Sequence, residues 1–492
     1  MKTKCVSPSS LVFAAALVLS VAFLLAAQAQ AQKGLVQISS DPFKNTTSQH
    51  ATEVEPDTYA FGSTFVAAFQ TGRIFDGGGA DLGFATSTNG GATWTHGFLP
   101  GITTFYKGGK YTAISDPSVT YDAAHGKWLI TGIAIIDGTG VGVTASSSSD
   151  GLTWNNPVSV HQTNGFDDKD WVTCDSTASS PFYGHCYAEW DAAADGDQVE
   201  MSTSTDGGQT WSAPFNVPGA FGLGGQPLVL PNGTAVVPFE GNGIQAFTST
   251  DGGKTWGNVV IVANISDHGE GGELRSGPLP SAEVDGGGTV YLVWQDCRFR
   301  TGCSSNDIVL STSKDGKTWS TVSRVPIDPV TSTVDHFIPG IAADSATPGH
   351  LGLTFYFYPV SNCSLSTCKL GVGYISSHNG GTTWTTGKVL GVGMNNTWLA
   401  NTSGGYMVGD YISTSFVNGK AYGVFAGALP PSGGKFREAM YTPTIGMLQE
   451  GSGPQLSSAN DKPIPGAHSD HGPSQYWDQE HKLPKSVPPQ QH

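Results

Sequence analysis

Acidic and basic side chains fall at a recurring place in this 492-residue chain, either where a short apolar segment starts or in the loop after the next one. Glu55, Asp116, Asp168, Lys169, Asp170, Asp410 and Tyr411 stand at segment starts. Arg73 with Asp76, and the run Gln295-Asp296-Cys297-Arg298, stand in loops, while Glu273 and Arg275 lie on a connection. Carboxylates and guanidiniums gathered in one concavity suit a sugar, by hydrogen bonding and acid–base work. Taken singly, each is a turn cap or half of an ion pair, so only their convergence would make a site. Arg298 gains weight from its neighbour, because a Cys297/Cys303 bridge would hold its loop rigid.

The elements that must position these residues are announced by a phrase written six times. Its copies are Ser87–Trp94, Ser148–Trp154, Ser204–Trp211, Ser249–Trp256, Ser313–Trp319 and Ser377–Trp384. Each runs from Ser through Asp or Asn and Gly to Thr-Trp. Asp-Gly or Asn-Gly sets a tight turn, since Gly supplies positive φ without a Cβ clash. The Asp, Ser and Thr side chains close that turn with local hydrogen bonds, and the Trp plugs the gap between neighbouring units. The phrase therefore reads as a hairpin staple, and its recurrence marks one repeated supersecondary unit.

A quieter repeat precedes most boxes. An X-Pro step opens a short apolar strand at Glu55-Pro56, Asp116-Pro117, Gln226-Pro227, Leu279-Pro280 and Ile338-Pro339, with Asp170-Trp171 at the third position. Proline suits a first strand position, where its missing N–H costs no ladder bond. Gly409-Asp410-Tyr411 opens a seventh unit that has no box. Four antiparallel strands per unit, repeated in a ring, is the β-propeller pattern of an all-β protein. The last unit supplies three strands, near Tyr411–Phe416, Ala421–Gly427 and Glu438–Thr444, and Leu35–Ser39 would pair into it and close the ring. The expectation is seven four-stranded blades with six box turns over residues 33–446, six blades being the alternative. The boxes are turns between third and fourth strands, so the segment starts and second-to-third-strand loops surround the opposite mouth.

Lys2 and Lys4 precede an apolar run from Leu11 to Ala27 that ends in small residues, the pattern of a secretory signal peptide over residues 1–31. Its removal takes two lysines and no acids, so the formal charge of −16 becomes −18. Such a chain does not seek nucleic acid or anionic membrane surfaces, and no later segment is apolar enough to span a bilayer. Six cysteines remain as the local pairs Cys174/Cys186, Cys297/Cys303 and Cys363/Cys368, which suit disulfides in an oxidising compartment, extracellular or periplasmic. Residues 447–492 are rich in Pro, Gly, Ser and His and read as a polar disordered tail. A monomer is expected.

The boxes identify the chain as similar to the Asp-box (BNR) repeat proteins of the sialidase superfamily, over nearly all of Ser87–Trp384. The stretch Phe65 to Arg73, reading FVAAFQTGR, resembles the Ala-Phe-Ala-Glu-Gly-Arg stretch of sialidases. That resemblance implies a propeller whose mouth grips a substrate carboxylate with three arginines and attacks with a Tyr/Glu pair. Arg73 matches the Gly-Arg position, and Asp76 is the candidate acid/base. Arg275 and Arg298 stand for later arginines, and Tyr411 with Glu273 for the nucleophile pair. Asp116, Asp170, Asp296 and Asp410 would contact substrate. The chain departs from the pattern where sialidases place Arg-Ile-Pro, since Glu55-Pro56-Asp57 stands there.

Three functions are expected on these grounds. The first is a secreted sialidase-like glycoside hydrolase acting on exposed glycans, with no cofactor required. The second is a non-catalytic propeller that binds a glycan or protein through the same mouth, because Glu55 replaces the clamp arginine. The third is calcium held by Asp116, Asp168, Asp170 and Asp410 as a structural aid.

Overall fold

The computed structural model describes residues 34–447 and 456–464. The leader and most of the tail lie outside the described residues. The described chain is nearly all β, with helix confined to three short 3₁₀ segments at Ala193–Asp195, Thr301–Cys303 and Asn396–Trp398.

Seven four-stranded antiparallel meanders succeed one another along the chain. The first is Glu53–Phe61, Thr64–Arg73, Gly79–Ser87 and Thr95–Phe98, and a single pair, Gly79 with Ile114, joins it to the second. The next five begin with Ala113–Asp122, Asp167–Cys174, Leu228–Val229, Ser281–Val284 and Asp335–Ala343. The seventh is Ser413–Val417, Lys420–Ala428 and Glu438–Pro443, and its fourth strand is Leu35–Gln37, with Val36 opposite Thr442. First strands of successive sheets lie against one another, and that of the seventh touches those of both the sixth and the first.

Each box leads out of a third strand, as the spacing implies, and its hydrogen bonds are those its residue types allow. In the second copy Ser148 Oγ donates to Asp150 Oδ1 at 3.0 Å and accepts from Gly151 N at 2.9 Å. Asp150 Oδ1 also accepts from Thr153 N at 2.7 Å. The tryptophans reach into the apolar layers between sheets: Trp154 meets Phe84 of the first sheet with ring centres 5.8 Å apart, and Trp256 meets Tyr187 of the third at 6.0 Å. Burying such a ring stabilises by about 3 kcal/mol or more, judged from truncation to alanine.

The three expected cysteine pairs are all disulfides, Cys174 with Cys186, Cys297 with Cys303 and Cys363 with Cys368. Cys174 and Cys186 stand opposite each other on the first two strands of the third sheet, and their sulfurs pack in a small apolar cluster with Leu129. Cys363 and Cys368 close the loop after the second strand of the sixth sheet, with Cys368 buried in the largest apolar core.

Three of the X-Pro steps differ from expectation in a way that matters for the site. Gln226-Pro227 and Leu279-Pro280 stand just before their strands, as expected, but the other three lie inside first strands, at bulges, where the register shifts between Val54 and Asp57, Ser115 and Ser118, and Phe337 and Pro339. A bulge leaves a residue out of the ladder, so the proline breaks no hydrogen bond there. The preceding residue takes positive φ: 56° at Glu55, 51° at Asp116 and 46° at Ile338. The third sheet has the same shift between Asp168 and Trp171, with Lys169 at 30°. Strain of about 1–3 kcal/mol per residue is the usual cost of such backbone.

Two further features were not anticipated. A hairpin, Ala400–Thr402 with Gly405–Met407, lies between the sixth and seventh sheets. Within the span read as a disordered tail, residues 456–464 lie on the body: Leu456 and Trp384 exchange backbone hydrogen bonds of 2.8 Å, and Ile464 N donates to Arg298 O at 2.7 Å. The Asp461 carboxylate pairs with Arg324 Nε at 2.9 Å.

Candidate functional site

Two of the strained residues, Glu55 and Asp116, line a cavity at the end of the sheets away from the boxes. Glu55 from the first sheet, Asp116 from the second and Asp167 with Asp168 from the third line one cavity of about 50 Å³. Arg73, Asp76, Gly77 and Gly78 reach it from the loop after the first sheet's second strand, and Arg275 from the connection between fourth and fifth sheets. Six of the residues singled out from the sequence, Glu55, Arg73, Asp76, Asp116, Asp168 and Arg275, therefore line one cavity.

Local structure explains their placing. Arg275 N donates to Tyr406 O and Tyr406 N to Glu273 O, both at 2.8 Å, so the unanticipated hairpin pins the connection that carries Arg275. Gly409 passes so near that a Cβ on it would stand 2.7 Å from Glu55 N, and its φ of +128° also favours glycine. Only glycine lets the seventh unit's opening approach the first bulge this closely.

Arg275 holds Asp410 bidentately, with Nε 2.9 Å from Oδ1 and Nη2 on Oδ2. Arg73 Nη1 donates to Gly78 O at 2.9 Å, and its Nε lies 3.3 Å from Met407 Sδ. Glu55 is 1% exposed and accepts from Gln70 Nε2. Burial, with the charges of Asp116 and Asp410, holds the Glu55 carboxyl well above its ordinary range, against the opposing pull of Arg73 and Arg275. Burial likewise raises Asp116, opposed by Lys169, and burial with Glu200 and Asp195 pushes Asp167 up to about 7. Asp76 is exposed at the rim.

Other expected members stand apart. Tyr411 is buried, its hydroxyl 3.3 Å from Pro117 O, and Lys169 places its ammonium 4.0 Å from the Tyr411 ring and 4.4 Å from that of Trp171. Burial, then the charges of Glu55, Asp116 and Asp170, raise the Tyr411 hydroxyl well above its ordinary value. Glu273 is exposed, with φ 58°; the carboxylates that bear on Tyr411 are these others. Arg298 does not line the cavity. Its Nε is 2.8 Å from Asp296 Oδ1 and its Nη2 2.6 Å from Oδ2, so Arg298 and Asp296 hold each other. Asp170 is fully buried behind the lining, and neither of its carboxylate oxygens has a hydrogen-bond partner.

The cysteines are staples and not members of the site. None of Cys174, Cys186, Cys297, Cys303, Cys363 and Cys368 lines the cavity. Cys186 and Cys368 are buried among apolar neighbours, where an oxidised sulfur serves packing and has no thiolate to offer. The Cys297–Cys303 bridge does fix the Arg298 loop, but it fixes it around Asp296 and away from the cavity.

A second polar cluster was missed because two of its members, Asp267 and Glu270, lie on a connection with no motif. Gln295 Nε2 donates to Asp267 Oδ1 at 3.1 Å and to Glu270 Oε1 at 2.8 Å, and Asn306 Nδ2 donates to the same two oxygens at 3.0 Å each. Burial raises Glu270 well above its ordinary value and, with the charges of Asp335 and Asp296, pushes Asp267 up to about 7. His268 faces Asp335 at 3.2 Å.

The four carboxylates considered for calcium do not form one shell, and Asp410 already holds Arg275. Among the described residues, the group whose ligand atoms stand close enough for one ion is Asp307, Asp328 and His336. Arg300 and Arg324 already pair with its two carboxylates, Arg300 Nη2 lying 2.7 Å from Asp328 Oδ1. That donor set fits an ionic network rather than a metal.

Residues 137–336 match the family model of the BNR repeat-like domain. A search of curated proteins gives no match. Among solved structures, the chain is similar to a leech intramolecular trans-sialidase at 12% identity, over 66% of this chain and 68% of that one, with a TM-score of 0.44. It is similar to the NanB sialidase of Streptococcus pneumoniae at 13% identity, over 84% and 71%, with a TM-score of 0.41. An ulvan lyase, a polysaccharide lyase, is similar at 11% identity, over 84% and 96%, with a TM-score of 0.49. All three likenesses are distant, and no substrate is carried over from them. The match over residues 137–336, taken with the six boxes, makes the chain similar to BNR repeat-like proteins.

Proposed function

We propose that the chain is a secreted, seven-bladed β-propeller that acts on glycans at the cavity lined by Glu55, Arg73, Asp76, Asp116 and Arg275. The seven meanders serve as blades, and the pairing of Leu35–Gln37 with Glu438–Pro443 closes the ring. Three disulfides support an oxidising compartment.

The observation that carries the reading is the convergence of acids and arginines from separate sheets on one cavity. In the catalytic version, Asp76 at the rim exchanges the proton with the leaving oxygen, while a buried carboxyl such as Glu55 or Asp116 faces the sugar. The non-catalytic version is favoured by one observation, the bidentate hold of Asp410 on Arg275, which leaves that guanidinium committed within the protein.

A fluorogenic panel of sialosides and neutral glycosides, run beside a glycan array, tests both. Turnover that falls about a hundredfold or more in Asp76→Asn supports hydrolysis, as expected for loss of a general acid. Glycan binding without turnover, weakened in Arg73→Ala, supports the binding module. A blank panel with a blank array rejects the glycan reading.

A further inference from the structure

The charge around the cavity is the reverse of what an anionic sugar needs. Five carboxylates line it, those of Glu55, Asp76, Asp116, Asp167 and Asp168, against the two guanidiniums of Arg73 and Arg275. Arg275 already faces Asp410. Immediately behind the lining stands Asp191, opposite Asp168 across the strand pair and fully buried. Neither oxygen of Asp191 has a hydrogen-bond partner. Burial, then the charges of Asp168, Glu189, Asp197 and Asp116, raise its carboxyl well above the ordinary range. Lys169 serves Asp116 and Glu189 among these neighbours, so acids outnumber cations on this side of the cavity.

The shape narrows what can supply that charge. Among the described residues, no three of these carboxylates bring their oxygens together as one metal ion requires. A cation that hydrogen-bonds outward to spread acceptors fits better, and an ammonium has three such donors. The cavity of about 50 Å³ admits a few water-sized groups, so a saccharide would enter by one substituent rather than a whole ring.

We propose that the cavity receives a positively charged substituent and that its saccharide is an amino sugar with a free amine, not a carboxylated sugar. The inference rests on the reading of this cavity as the glycan site. Glu55 and Asp116, aimed inward by their bulges, take the ammonium, and the acids that line the cavity turn away sialic and uronic acids. Glu55 then determines specificity at the place where the superfamily pattern has an arginine.

Calorimetric titration of the whole secreted chain tests this with three probes: a glucosamine oligosaccharide, its N-acetylated counterpart and sialyllactose. The deacetylated oligomer is expected to bind about tenfold or more tightly than the N-acetylated one, the value of one charge-assisted hydrogen bond. Glu55→Gln and Asp116→Asn are each expected to remove that advantage, while Glu283→Gln, in the separate cavity at the box end, leaves it intact. A deacetylated preference that survives both site variants is general attraction to an acidic protein and overturns the proposal. Equal affinity for the two oligomers, or tighter binding of sialyllactose, overturns the amine assignment while leaving a glycan site. Binding of none of the three, with a blank glycan array, overturns the site reading as well.

Discussion

Arg275 and Asp410 meet beside the cavity, one from the connection between the fourth and fifth sheets and the other from the opening of the seventh. Nε lies 2.9 Å from Oδ1 and 3.1 Å from Oδ2, and both side chains are nearly closed to solvent. The pair ties the last sheet to the middle of the chain beside the cavity.

Removing one partner of such a pair leaves a buried charge unmatched. Asp410→Ala is expected to cost about 3 kcal/mol of stability in urea unfolding. The double variant Arg275→Met with Asp410→Leu is expected to lie nearer the wild type than either single change. Equal losses in all three would show that packing, not charge, sets the cost.

Lys169 is the cation set among Asp116, Asp170 and Glu189, with its ammonium on the faces of Trp171 and Tyr411. Lys169→Met keeps much of the volume and removes the charge. Unfolding is expected about 2–4 kcal/mol easier at neutral pH, with the deficit shrinking in acid as the facing carboxyls take up protons. A deficit independent of pH would contradict this.

Glu240 is buried without a hydrogen-bond partner, and burial with the charge of Asp267 pushes its carboxyl up to about 8. Its folded value thus lies above its unfolded one, so the folded state binds the proton more tightly. The contribution is present in full below the unfolded carboxyl range near ~4 and is lost as pH rises through about 8. The melting temperature is expected to fall between pH 5 and pH 8, and Glu240→Gln to flatten that slope in differential scanning calorimetry. An unchanged slope in the variant would assign the effect elsewhere.

Residues 456–464 hold Trp384, Arg324 and Arg298 from outside. A chain ending at residue 455 is expected to melt a few degrees lower, about what 1 kcal/mol yields in a domain of this size, and to be cut sooner by protease near Trp384. Identical melting and cleavage would mean that the segment adds nothing to stability.

Much of the architecture was legible because turn chemistry is local. Asp-Gly and Asn-Gly with flanking Ser and Thr determine their own hydrogen bonds, so six turns could be placed from six phrases. Short cysteine spacing was legible for the same reason, and Cys186 and Cys368 found the partners nearest to them in the chain. The convergence of Arg73, Asp76, Asp116 and Arg275 came from topology alone. The bulges were not legible, since a proline at a strand opening and one at a bulge read alike; only the pairing register distinguishes Val54–Asp57 from regular ladder. The Asp296–Arg298 pair was misjudged for a related reason. Two residues apart, they meet through the local path of the chain, which the sequence spacing does not fix. Asp267 and Glu270 carried no motif, and their partners Gln295 and Asn306 come from elsewhere in the fold.

The pairing of Leu35 with Pro443 sets an order in time. A chain made from its beginning presents that strand first, yet the partner arrives only when almost everything else has emerged. Until then the edge of Glu438–Pro443 does not exist, and Leu35–Gln37 is a bare template open to other chains. Any product released early would keep its strand unmatched, so quality control could sense completeness by this one seam.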